Sequence, residues 1–140
     1  MSNHELESKI RELAREISGE EPTWIRFLPQ TNSIGKYFKA NDIFLSPSRS
    51  EAFGYANVEA VYCGNSIVLS RVGGQAQLQI DGAYWFESEN VDDFVEKLEL
   101  AIQELSTPEK QAQRESVKAQ VQRIYSIETW AKKVVELLQN

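Results

Sequence analysis

Between Asp42 and Phe86 the chain alternates short apolar runs with helical spacing, and this alternation limits the fold more than any other feature. Asp42 to Leu45 reads as a strand, Gly54 to Cys63 as a helix backed by Gly64, and Ser66 to Leu69 as a buried strand. A strand, a helix and a strand in so tight a span indicate parallel pairing, since a crossover connection is what parallel strands need. After Gly73 and Gly74, Ala83 to Phe86 supplies a further short strand. The expected architecture is α/β, with a short parallel sheet and helices on both faces.

Upstream, Leu6, Ile10, Leu13 and Ile17 recur at helical spacing, which predicts an amphipathic helix over Glu5 to Ser18, closed by Gly19. Thr23 to Leu28 alternates apolar and polar positions and stops at Pro29, so it reads as the first of about four strands. Asn32 or Ser33 can cap a short helix through about Lys39. Downstream, Asn90 caps a helix whose apolar face carries Val91, Phe94, Leu98 and Ala101. Thr107-Pro108 starts a second helix and Ser126 a third, running to Leu138. No repeat or linker interrupts the pattern, so residues 1–140 read as one domain.

The net charge of −6 excludes the broad basic footprint that nucleic acid requires. No apolar run is long enough for a membrane span and the first residues lack a signal-peptide pattern, which makes the cytoplasm the default compartment. A single cysteine, Cys63, and a single histidine, His4, provide neither a Cys/His metal site nor a Cys/His nucleophile pair. Asp92 and Asp93 fit the first turn of a helix, where acids complement the dipole, and not a metal cluster.

The chemistry is concentrated in Asn41-Asp42-Ile43-Phe44-Leu45-Ser46-Pro47-Ser48-Arg49-Ser50-Glu51-Ala52-Phe53-Gly54 and the helix that follows. This run sets a loop at the carboxyl end of a parallel strand, the crevice where open α/β sheets bind ligands. The first helical N–H groups, near Phe53, Gly54 and Tyr55, present the positive end of the dipole and suit a diphosphate. Glu51 is placed to accept hydrogen bonds from sugar hydroxyls. Glu59, about two turns on, is placed for a ribose edge. Arg49 and Arg71 flank the crevice, although an isolated surface arginine is usually a solvated charge. Trp24, Trp85, Trp130 and Tyr84 have the rings to stack a base, but strand and helix aromatics more often belong to a core.

Pro47-Ser48, Glu51-Ala52-Phe53-Gly54, Glu59-Ala60, Cys63-Gly64 and Val72-Gly73-Gly74, in that order, closely resemble the donor site of retaining GT-B-fold glycosyltransferases of the group 1 type. The resemblance extends more loosely over nearly the whole chain. It implies a Rossmann-like C-terminal domain of that fold, truncated at its start. It further implies that Glu51 is catalytic and contacts the transferred sugar, and that Glu59 contacts the ribose. Ser48, Ala52, Phe53, Gly54, Tyr55, Gly73 and Gly74 complete the donor-binding set. The implied substrate is a UDP-, GDP- or ADP-sugar, its glycosyl group passing to an acceptor hydroxyl with the anomeric configuration kept, without a metal or other cofactor.

Three departures stand out. Ala52 replaces the commoner glycine, Asn65-Ser66 replaces a residue followed by proline, and Gln75-Ala76-Gln77 stands where Ile-Pro-Glu is common, which leaves sugar specificity open. The resemblance also implies an absent opening strand-helix-strand segment, with its diphosphate-binding arginine and lysine, and an absent N-terminal acceptor domain. The isolated chain is therefore expected to be inactive. Its unpaired strand is expected to dock beside Asp42 to Leu45 or to pair with another copy in a homo-oligomer. The alternative reading is a non-catalytic binding or assembly module derived from such an enzyme. A phosphoacceptor receiver module shares the alternation of elements, but its magnesium-site acids and late lysine are not found.

Overall fold

The computed structural model describes residues 3–20 and 23–139. The chain divides into two compact units, residues 1–32 and residues 33–140.

In the first unit, α1 (Asn3–Ser18) carries an i,i+4 pair between Arg11 and Glu7 at 2.9 Å. It ends where the Gly19 amide donates to the Arg15 carbonyl at 2.8 Å. The expected strand at Thr23 to Leu28 is a correction: these residues form a bend and then irregular backbone. A strand exists through its ladder, and among its described residues this unit contains no strand to supply one. Its Phe27 ring lies instead beneath the Arg11 guanidinium, 4.4 Å from the ring centroid.

The second unit holds the sheet. Its elements are α2 (Ile34–Lys39), β1 (Ile43–Ser46), α3 (Tyr55–Tyr62), β2 (Ser66–Ser70), β3 (Tyr84–Phe86), α4 (Val91–Glu104), α5 (Pro108–Ile124) and α6 (Ile127–Gln139). The strands lie in the order β1-β2-β3, both pairs parallel, so the sheet has three strands and not four. Ser46 pairs with Leu69 and Ser70 with Phe86, which brings the carboxyl ends of all three strands to one edge.

Period-two alternation distributes the side chains between two helical layers. Ile67 and Leu69 of β2 join Ala60 and Val61 of α3, Val117 and Val121 of α5, and Phe38 of α2. Val68, Tyr84 and Phe86 face the other way, onto Ala101, Phe94 and Leu98 of α4. Every residue of β2 is buried because helices cover both of its faces. The helix starts follow their caps: Asn90 accepts from the Asp93 amide at 3.1 Å, Thr107 from Lys110 at 3.3 Å and Ser126 from Thr129 at 3.1 Å.

Candidate functional site

The site is built where β1 and β2 end. β1 hands the chain to the loop from Pro47 to Phe53, and Gly54 then caps α3 with φ 83. Glycine alone adopts this conformation without strain, and a Cβ here would also meet the Asn57 side-chain amide. No side chain caps this helix end. Among the described residues, no acceptor is found for the amides of Gly54, Tyr55 and Ala56. The helix thus begins with open N–H groups at the carboxyl edge of the sheet, a geometry suited to an anion.

The loop after β2 closes onto the same place. Residues Gly73–Gln77 form a 3₁₀ turn in which the Gly74 amide donates to the Glu51 carbonyl at 3.0 Å. Side chains are excluded: a Cβ on Gly73 would strike the Glu51 carbonyl and one on Gly74 the Ala52 carbonyl. Backbone therefore packs directly on backbone, and the two loops behave as one surface.

Beneath it lies a polar cluster that the sequence did not advertise. Gln75 and Ser70 are 0% exposed and Asn57 is 1% exposed. The Gln75 carbonyl oxygen accepts from Asn57 Nδ2 at 2.8 Å and from the Ser46 hydroxyl at 3.1 Å. Gln75 Nε2 donates to the Ser70 carbonyl at 2.7 Å and to the Ser70 hydroxyl at 3.2 Å. The Ser70 hydroxyl in turn donates to the Ser48 carbonyl at 2.6 Å. Buried polar groups need such partners, and here each partner comes from a different element around the site. The available sequence signal was polar residues at positions where helix and strand periods place the core.

Gln75 is turned inward and buried, whereas Gln77 is exposed. Ala52 is not among the residues with positive φ, so it replaces glycine there without strain. Tyr55 is 75% exposed, its ring centroid 4.8 Å from that of Phe53, which also meets Tyr125 edge-on at 5.7 Å. These rings open onto an apolar cleft of ≈ 630 Å³ closed by Val58, Ile124 and Ile127.

Glu59 is exposed on α3 and borders a separate hollow of ≈ 270 Å³ with Ile34, Gly35, Phe38 and Val58. Glu51 lines neither hollow, and its half-buried side chain lies beside Gly54. The two carboxylates therefore do not meet in either of these two hollows. Val58 borders both the Tyr55 cleft and the Glu59 hollow and joins them along α3.

The flanking arginines are engaged by the loop after β3. Arg49 meets Glu89 at 3.2 Å, and Arg71 meets Glu87 at 3.6 Å while lying 5.3 Å from the Trp85 ring centroid. All four side chains are well exposed, so these pairs are weak. Trp85 packs against the core, Tyr84 is buried, and Trp24 is exposed. The Trp130 side chain lies outside the described residues. Asp93 accepts from the Glu87 amide at 2.7 Å, a structural role at the start of α4. Among the described residues no group of acids, cysteines and histidines has the arrangement of a metal site. No described helix is long and apolar enough to cross a membrane.

Comparison with known proteins adds findings of three kinds. The sequence profile of the family "Glycosyl transferases group 1" matches residues 3–122. The α-maltose-1-phosphate synthase of Mycolicibacterium smegmatis is 33% identical over 78 residues, covering 56% of this chain and 20% of that protein. The D-inositol 3-phosphate glycosyltransferase 2 of Catenulispora acidiphila is 35% identical over 74 residues, covering 52% and 17%. The chain thus spans about a fifth of the length of these relatives. In structure it resembles a glycosyltransferase from Rickettsia africae, with TM-score 0.82 and 19% identity, covering 96% of this chain and 36% of that one. A sucrose-phosphate synthase from Thermosynechococcus elongatus follows, with TM-score 0.76 and 19% identity, covering 94% and 33%. At such identities these two likenesses speak for the fold.

Proposed function

The chain belongs to the glycosyl transferases group 1 family, and from that premise we propose that it carries the nucleotide-sugar-binding part of a retaining GT-B-type glycosyltransferase. The observation that carries this reading is the bare N-terminus of α3. Its open amides at Gly54, Tyr55 and Ala56 stand at the carboxyl edge of the sheet, where the donor diphosphate gains the helix dipole and several N–H donors together.

The remaining assignments are those that the family resemblance suggests. Glu59 holds the ribose hydroxyls in the hollow beside Ile34 and Gly35. Glu51, with the backbone of Gly73 and Gly74 behind it, faces the transferred sugar, and Ser48, Ala52 and Phe53 frame the loop. These donors are fixed before the ligand arrives, as stabilising a charged leaving group requires. The UDP-, GDP- or ADP-sugar is the substrate, and the scheme calls for no metal or other cofactor. Turnover is a property of the whole protein, in which an N-terminal domain supplies the acceptor site, and this chain alone is expected to bind without transferring.

Titrating the ¹⁵N-labelled chain with UDP-, GDP- and ADP-sugars tests the reading. Weak binding that shifts the Gly54 to Ala56 amides and disappears in Glu59→Ala is the expected result. A folded chain whose α3 amides ignore all three donors defeats the proposal. A second reading, a non-catalytic assembly module, draws on the outer edge of β1, which no other strand of the second unit pairs. Light scattering decides it: a concentration-independent monomer ends the version in which copies pair through that edge.

A further inference from the structure

We infer that Gln75 is a positioning residue that sets the direction of the phosphate-facing amides of α3, an inference that rests on the donor-site reading above. Gln75 touches no ligand, because it is 0% exposed beneath the two loops. Its carboxamide nevertheless reaches three elements besides its own. Oε1 accepts from Ser46 at the end of β1 and from Asn57 in the first turn of α3, while Nε2 donates to the carbonyl and hydroxyl of Ser70 at the end of β2.

The path to the amides is short. Asn57 donates its backbone N–H to the Gly54 carbonyl at 3.0 Å, and its side-chain Nδ2 occupies the space a Cβ on Gly54 would take. Asn57 therefore braces the residue that starts the helix from two sides, and Gln75 holds Asn57. Gln75 also follows Gly74 directly, so the same anchor keeps the Gly74 amide on the Glu51 carbonyl at 3.0 Å. An apolar side chain of similar size fills the volume but has no direction. A carboxamide with four partners fixes its own orientation and that of the groups it bonds. In a site that works by preset donors, orientation governs affinity.

The test separates orientation from stability. The parent chain, Gln75→Leu and the double variant Asn57→Leu/Gln75→Leu are titrated with UDP and with inorganic pyrophosphate, following the amides of Gly54, Tyr55, Ala56 and Gly74 by NMR. Urea unfolding is measured in parallel. The double variant is expected to recover most of the parent's unfolding midpoint while its affinity for both probes stays down about tenfold. If it binds either probe as tightly as the parent, the inference is overturned, and this holds even where the single variant fails to fold. If the parent binds neither probe, the donor reading itself has failed. The same spectra then judge Gln75 alone: unchanged positions and exchange rates for the Gly54, Tyr55 and Gly74 amides in the double variant overturn the inference, and changed ones uphold it.

Discussion

Asn57 donates from Nδ2 to Gln75 Oε1 at 2.8 Å, joining the first turn of α3 to the turn after β2 through two side chains withdrawn from solvent. Removing one partner strands the other, which costs more than the bond itself contributes. Gln75→Ala is expected to lose about 2–4 kcal/mol of stability, combining stranded polar groups with a cavity. In a double-mutant cycle by urea denaturation, Asn57→Leu and Gln75→Leu together should cost less than the sum of the two alone. Strict additivity would show that the amides act independently.

Gly74 lies against the Ala52 carbonyl with no room for a methyl group. Gly74→Ala is expected to force the two loops apart, at about 1–3 kcal/mol or more. The Gly74 amide, bonded to Glu51 in the parent, should then exchange faster with solvent. Slow exchange retained in that variant would refute the tight backbone contact.

Glu89 is the one non-glycine residue with positive φ among those described, at 64°. Its ion pair with Arg49 is exposed and offsets little of that strain. Glu89→Gly should therefore raise stability by about 0.5–1 kcal/mol, read as a higher urea midpoint at unchanged slope. A lower midpoint would mean that the Arg49 contact outweighs the backbone strain.

Tyr84 donates its hydroxyl to Glu104 at 2.6 Å. Burial first, and then this carboxylate, push the phenol well above its ordinary range, Arg114 opposing them weakly. The folded chain thus keeps a proton that the unfolded chain loses near pH 10, so this part of the stability is complete below about pH 10 and declines above it. Lys110, 4.0 Å from the Tyr84 ring centroid, is shifted downward by burial and acts in the opposite sense, gaining stability as pH rises towards its ordinary value. Tyr84→Phe should flatten the alkaline fall of the unfolding midpoint. An equally steep fall in that variant would assign the alkaline loss to other groups.

Much of the framework was legible because local rules decide it. The caps at Asn90, Thr107 and Ser126 and the buried run Ser66 to Leu69, which the structure extends to Ser70, each follow from a few neighbouring residues. Thr23 to Leu28 misled for the opposite reason: its alternation is genuine, but a ladder needs a partner that sequence period cannot supply. The run from Ser46 to Gly54 gave the loop and the helix start, since Gly54 is the residue that can turn there. Gln75 looked like a change at the ligand and is instead buried, because a side chain's direction is set by what surrounds it.

By itself, then, the sequence determined the parallel βαβ order, the helix ends and the family, all properties of residues close along the chain or of their order. Only the tertiary structure decided that the sheet has three strands, that Glu59 borders a hollow which Glu51 does not line, and that Gln75, Asn57, Ser46 and Ser70 form one cluster. Those facts depend on distances between segments up to 29 residues apart in the chain, and packing, not local preference, brings such segments together.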